Sequence, residues 1–151
     1  MKKAAIVFAS HHHQNTRKLV EAIAESCDAV LIDAARQQFA DLTEFDLIGF
    51  ASGIDFGKFY DPVVCFLRNN LPEGKAVFFL YTCARESDRF TGTIREAAGR
   101  KGAVQLGEYG CKGYNTYGPW KLIGGMNKGH PNREEVAGAV NFVAELMETV
   151  G

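Results

Sequence analysis

Five short apolar runs occur along this sequence, and segments of helical periodicity follow all of them except the second. The first run, AAIVFAS at 4–10, does not alternate between apolar and polar residues, which is typical of a strand buried on both faces of a sheet. The other runs lie at 29–33, 46–52, 76–82 and 103–111. Strands that alternate with helices form parallel sheets covered on both faces, so the pattern predicts an α/β fold. Five strands in a chain of this length favour a doubly wound, three-layer sandwich with a five-stranded parallel sheet in the order 2-1-3-4-5.

The helices between these runs are predicted from their apolar faces and capping signals. The helix after the first strand places Leu19, Val20 and Ile23 on one face. The last helix begins with a capping box, in which Asn132 is followed three residues later by Glu135. The N-caps of the other helices are predicted at Asn15 or Thr16, at Asp61 with Pro62 in the first helical position, and at Asp88 for a helix that ends at Arg100.

Composition and charge exclude several classes of protein. A chain of 151 residues is expected to form one domain over 1–151. Seventeen basic and eighteen acidic residues give a net charge of −1, which argues against a nucleic-acid-binding surface. No apolar stretch reaches the roughly 18 residues of a membrane span, and the first run is too short for a signal sequence. We therefore expect a cytoplasmic protein that binds neither nucleic acid nor membrane.

The cysteines and histidines do not predict a metal site. Cys27, Cys65, Cys83 and Cys111 are widely spaced and include no CxxC pair, which is not the spacing of a zinc site, and a disulfide framework is not expected without an export signal. The tract HHH at 11–13 is a potential metal ligand by composition. Adjacent histidines in a turn diverge, however, and no nearby carboxylate or cysteine completes a set of ligands.

Three loops follow the carboxyl ends of the first, third and fourth predicted strands. In the order 2-1-3-4-5, ligands bind at these ends, near the point where the strand order reverses. The loops are SHHHQNT at 10–16, SGIDFGKFY at 52–60 and TCARESD at 82–88. The first leads into a helix N-terminus, which presents free N–H groups and suits an anion. It contains neither the GK[ST] of a Walker A loop nor the GxGxxG of a dinucleotide site.

The end of the first loop, Gln14-Asn15-Thr16, carries a family resemblance. Together with the element order and the loop GIDFGKFY, it makes the chain resemble flavodoxin-like FMN-binding proteins, whose phosphate loop is rich in Ser and Thr and ends in Gly-Asn-Thr. The segment after the fifth strand, with CKGYNTYGPWKLIGG and KGHPN, also looks like small flavodoxin-domain proteins. Here Gln14 replaces the glycine and histidines occupy positions where hydroxyl residues are common. The resemblance implies the flavodoxin-like sandwich and one noncovalent FMN.

The resemblance also implies which residues hold the cofactor. The phosphate would be bound by Ser10, His11, His12, His13, Gln14, Asn15 and Thr16, with imidazoles standing in for hydroxyl groups. The alternative is that two of the three histidines face solvent. The flavin ring would be framed by Ser52, Gly53, Ile54, Asp55, Phe56, Gly57 and Lys58, and by Thr82, Cys83 and Ala84.

Aromatic residues of the second loop are candidates for stacking on the ring. These are Phe56, Phe59 and Tyr60, and the alternative for Phe59 and Tyr60 is a hydrophobic lead-in to the next helix. Cys83 is either a redox thiol near the flavin or a buried cysteine. The aromatic, Gly-rich segment 112–131 could line the flavin entrance, bind a second substrate, form a dimer contact or pack a satellite hydrophobic cluster.

The expected function is electron transfer through the bound FMN, between redox partner proteins or to a small electron acceptor. One alternative is an FMN-dependent NAD(P)H:quinone-type oxidoreductase. Another is a non-flavin binding module of the same fold, because fold alone does not fix function. The sequence assigns no catalytic residue.

Overall fold

The computed structural model describes residues 2–9, 15–83, 89–112 and 129–150. The strands are β1 (Ala4–Ala9), β2 (Val30–Asp33), β3 (Leu47–Asp55), β4 (Lys58–Phe59), β5 (Ala76–Cys83) and β6 (Val104–Lys112). The helices are α1 (Asn15–Cys27), α2 (Asp61–Asn70), α3 (Gly92–Arg100) and α4 (Arg133–Thr149). Within these described ranges, no helix combines the length and the apolar character that crossing a membrane requires.

The main sheet has the order β2-β1-β3-β5-β6, and all of its neighbouring strands are parallel. The predicted fourth and fifth strands are β5 and β6, so the predicted order 2-1-3-4-5 and the flavodoxin-like sandwich are confirmed. β1 is buried along its whole length, as its unbroken apolar run requires. The order reverses between β1 and β3, which places the carboxyl ends of β1, β3 and β5 side by side.

Helices cover both faces of the sheet. On one face, α1 packs against α4, and Leu19, Ile23 and Val143 join the buried side chains of the sheet. On the other face, α2 packs against α3, and Phe66 and Ile94 belong to the second buried cluster. The predicted apolar face of α1 is therefore the face that the structure buries.

The stretch GIDFGKFY is not the loop that the sequence predicted. β3 continues through Asp55 and returns as β4 in an antiparallel hairpin, with Ile54 opposite Phe59 and Asp55 opposite Lys58. The two residues of the turn, Phe56 and Gly57, have φ angles of +51° and +76°. Two successive positive φ angles are those of a tight hairpin turn whose twist matches the flanking strands.

Two predicted helix N-caps are also wrong. The N-cap of α2 is Tyr60, and Asp61 is already helical. α3 begins at Gly92 with Thr91 as its N-cap, instead of at Asp88, which lies outside the described residues. Thr91 is held from a distant strand, because its hydroxyl donates to Glu108 Oε2 at 2.6 Å. The capping box of α4 is confirmed.

Candidate functional site at the carboxyl edge of the sheet

Buried polar side chains gather at the carboxyl ends of β1, β3 and β5. Asn15 and Thr16 open α1 directly after the first loop, Ser52 lies near the end of β3, and Thr82 lies near the end of β5. The register pairs Ala9 with Ser52 and Gly53 with Thr82, so the three strand ends are level with one another. The structure thus brings together described residues from all three predicted loops.

A direct contact joins the first and third loops. The Oγ1 atoms of Thr16 and Thr82 lie 3.1 Å apart, within hydrogen-bond distance. The two residues are 1% and 4% exposed. The first turn of α1 therefore contacts β5, and this contact fixes the start of α1 relative to the end of β5.

Ser52 ties the hairpin to the strand end. Its buried hydroxyl donates to the carbonyl of Gly53 at 2.5 Å and accepts the backbone N–H of Tyr60 at 2.9 Å. Gly53 is required by close packing, because a Cβ at this position would lie 2.3 Å from the Tyr60 hydroxyl oxygen. Burial, and then the negative charge of Asp55, raise the pKa of Tyr60. The phenol therefore stays a neutral hydrogen-bonding group beside the strand end.

The three aromatic candidates of the hairpin have different environments. Phe56 is 93% exposed at the tip of the turn, whereas Phe59 is fully buried and its ring centroid lies 6.3 Å from that of Tyr81. Of the two alternatives for Phe59, its burial contradicts stacking on a ligand and supports the hydrophobic lead-in to α2. Tyr60 is half-buried against the core. A cavity of about 430 Å³ lies along the hairpin, lined by Asp55, Phe56, Lys58, Phe59, Tyr60, Asp61 and Pro62.

An ion pair beside the first loop was not anticipated from the sequence. The Arg17 guanidinium lies 3.3 Å from Asp33 Oδ2, and its central carbon lies 5.0 Å from the centroid of the Phe8 ring. Arg36 approaches the same carboxylate at 3.7 Å. The signal was present in the sequence, because Asp33 ends the second strand and Arg17 opens the helix after the first.

Glu135 joins the two sides of the segment 113–128, which lies outside the described residues. Its Oε2 atom accepts the N–H of Lys112 at 3.1 Å, and its Oε1 atom accepts the N–H of Asn132 at 2.9 Å and contacts His130 Nδ1. Burial by itself would raise the pKa of this carboxyl group. The hydrogen bonds from Asn132, His130 and Lys112 outweigh burial and lower the pKa below its ordinary value.

Cys83 is a buried thiol and not an exposed redox group. It is 7% exposed, and its Sγ atom lies 3.6 Å from the carbonyl oxygen of Cys111, close enough to donate a weak hydrogen bond. None of the four cysteines forms a disulfide. No group of three potential metal ligands occurs in the parts of the chain that the structure describes. The candidates Ser10, His11, His12, His13, Gln14 and Ala84 lie outside those parts.

No protein-family model matches the chain. An uncharacterized protein of Methanocaldococcus jannaschii is 36% identical to it over 148 residues, which are 97% of this chain and 99% of that protein. Oxidised flavodoxin 1 from Bacillus cereus has a TM-score of 0.74 and 18% identity, over 99% of this chain and 100% of that chain. A Fusobacterium nucleatum flavodoxin bound to flavin mononucleotide has a TM-score of 0.69 and 11% identity, over 100% of both chains. At these identities the likeness to the two flavodoxins is one of fold.

Proposed function

The chain belongs to the same family as its Methanocaldococcus relative and has the flavodoxin fold, and from this premise we propose that it binds FMN noncovalently and transfers electrons through it. The observation that carries the proposal is the buried polar cluster of Asn15, Thr16, Ser52 and Thr82 at the carboxyl edge of the sheet. The Fusobacterium nucleatum flavodoxin, which has the same fold, was solved with flavin mononucleotide bound.

The described residues fit the two ends of FMN. The first turn of α1 offers backbone N–H groups and the positive end of a helix dipole, which suit a phosphate. The tip of the hairpin presents the exposed ring of Phe56, which suits an aromatic ligand, because stacked rings attract each other. The positions from Ser10 to Gln14 would complete the phosphate site, and Ala84 would complete the ring site.

Each part of the chain would have a separate task when FMN is bound. FMN supplies the redox chemistry, because it stores one or two electrons. The first loop and Thr16 bind the phosphate, and the hairpin between Ser52 and Lys58 covers the ring. Ser52 holds this hairpin in place through the N–H of Tyr60. Backbone groups from Thr82 to Ala84 bind the pyrimidine edge of the ring.

We favour an electron carrier that exchanges electrons with partner proteins or a small acceptor in the cytoplasm. Support comes from the sequence, which shows no second nucleotide-binding motif, and from the four cysteines, which form no disulfide and suit a reducing compartment. Steady-state oxidation of NADH or NADPH with a quinone acceptor, catalysed at a constant rate by the FMN-loaded protein, would instead favour the oxidoreductase.

The proposal is tested by titrating the purified protein with FMN and recording its visible absorption and flavin emission. We expect saturable binding with quenched emission, because a stacked ring loses its fluorescence. Asn15→Ala should weaken binding by about tenfold or more, the loss expected when a hydrogen bond to a charged group is removed. Asn132→Ala is the matched control, because it removes a helix-capping asparagine from α4. A folded wild-type protein that fails to bind excess FMN would overturn the proposal.

A further inference from the structure

The number of protons on the hydroxyl pair of Thr16 and Thr82 limits which hydroxyl can donate a hydrogen bond outside the pair. Each threonine hydroxyl carries one proton and can accept as well as donate. In a bond between two hydroxyls one proton is used, so one hydroxyl of the pair keeps a proton to donate elsewhere. The member that accepts within the pair is the member that keeps it. At 1% and 4% exposure, bulk water offers neither hydroxyl a ready alternative partner.

The position of Thr16 decides which member donates outward when an anion is bound. Thr16 is the second residue of α1, in the turn whose backbone N–H groups have no acceptor within the helix. An anion at this end attracts every available donor, and a hydrogen bond to a charged acceptor is about twice as strong as one between neutral groups. The Thr16 proton therefore turns to the anion, and its oxygen is left to accept from Thr82.

We propose that Thr82 is a positioning residue for the phosphate group of the bound flavin nucleotide. Its hydroxyl donates to Thr16 Oγ1 and thereby keeps the Thr16 proton directed at the phosphate. The inference rests on the proposed function and deepens it. The sequence had placed Thr82 at the ring through its backbone, whereas its side chain acts at the other end of the ligand.

The inference predicts a pattern of coupling. If Thr82 acts through Thr16, removing both hydroxyls costs no more affinity than removing the Thr16 hydroxyl alone, because residues that share one interaction are not additive. A residue that only supports the fold would lower the affinity for any flavin. Thr82 should instead matter much more for FMN than for riboflavin, which has no phosphate.

The test is a double-mutant cycle on the dissociation constant of FMN, with Thr16→Val, Thr82→Val and the double variant. We expect Thr82→Val to weaken FMN binding by about fivefold to tenfold in the wild-type background and by less than about twofold when Thr16 is already valine. Thr82→Ser should restore wild-type affinity. Thr91→Val is the matched control, because it removes a buried hydroxyl that bonds to Glu108 instead.

Three results would overturn the inference while leaving FMN binding intact. They are an unchanged FMN affinity in Thr82→Val, losses that add up in the double variant, and an equal loss of FMN and riboflavin. Thr82→Ala removes the same hydroxyl and replaces the valine variant if that variant does not fold, as judged by urea unfolding. A wild-type protein that binds no FMN would overturn the proposed function, and this inference with it.

Discussion

Replacing Phe56 by asparagine should stabilise the protein, although it removes a large apolar side chain. Phe56 has a φ of +51°, in the left-handed region, which costs an ordinary L-residue about 1–2 kcal/mol. Asparagine tolerates this region better, and Asn-Gly is the favoured pair for a tight hairpin turn such as the one at Phe56-Gly57. Because the phenyl side chain is 93% exposed, its removal forfeits almost no buried area.

The expected gain is about 1 kcal/mol in the free energy of unfolding. With a urea m-value of about 2 kcal/mol/M, this gain raises the midpoint of urea unfolding by about 0.5 M. The assay is urea unfolding without FMN, followed by circular dichroism. Phe39→Asn is the control, because Phe39 is 68% exposed and does not have a positive φ. This control should change stability by no more than about 0.5 kcal/mol.

An unchanged or lower midpoint in Phe56→Asn, with a normal control, would refute the reasoning about backbone strain. The same variant should bind FMN more weakly than the wild type if the exposed ring covers the flavin. Strained backbone conformations persist where function requires them, and stabilising changes at such positions commonly reduce activity. A higher midpoint together with weaker FMN binding would therefore identify Phe56 as a residue kept for its ligand.

The remaining predictions concern stability. The folded pKa of Glu135 is lowered, so its carboxylate stabilises the protein above the unfolded pKa of about 4.3 and loses this effect as pH falls through the folded value. Between about pH 7 and pH 3.5, urea unfolding should show a smaller loss of unfolding free energy for Glu135→Gln than for the wild type or Glu134→Gln. Equal losses in the three proteins would contradict this. Gly49→Ala places a Cβ 2.2 Å from the buried ring of Phe78 and should lower the free energy of unfolding by about 1–3 kcal/mol. Gly99→Ala, on the exposed side of α3, is the control and should be neutral or stabilising. An unchanged stability in Gly49→Ala would argue against this packing.

The parts of the fold that local chemistry determines could be predicted from the sequence. The capping box between Asn132 and Glu135 involves residues three apart, and β1 is recognisable because it is apolar throughout. The hairpin could not be predicted in the same way. Phe56 occupies the position at which asparagine or aspartate would have indicated a two-residue turn. The hairpin is also held by a non-local contact, in which the Ser52 hydroxyl accepts the N–H of Tyr60. The start of α3 depends on the contact of Thr91 with Glu108.

The candidate site likewise has features that the sequence could predict and features that depend on long-range contacts. The strand order alone predicted that the three loops would meet at one edge, since parallel strands present their carboxyl ends together. The pairing of Thr16 with Thr82 spans 66 positions and depends on how α1 lies across the sheet, which no local pattern specifies. The burial of Phe59 depends likewise on rings from β5.

The hydrogen bonds of Glu135 have a consequence for how this family can diverge. One carboxylate holds the backbone N–H groups of Lys112 and Asn132, on either side of the segment 113–128. Once two positions of a chain are fixed, each doubling of the length of chain between them costs only about 0.6 kcal/mol of closure entropy. Insertions and deletions between these two anchors therefore leave the sheet and α4 undisturbed. The sequence and length of this segment can therefore change between relatives without a change in the fold of the rest of the domain.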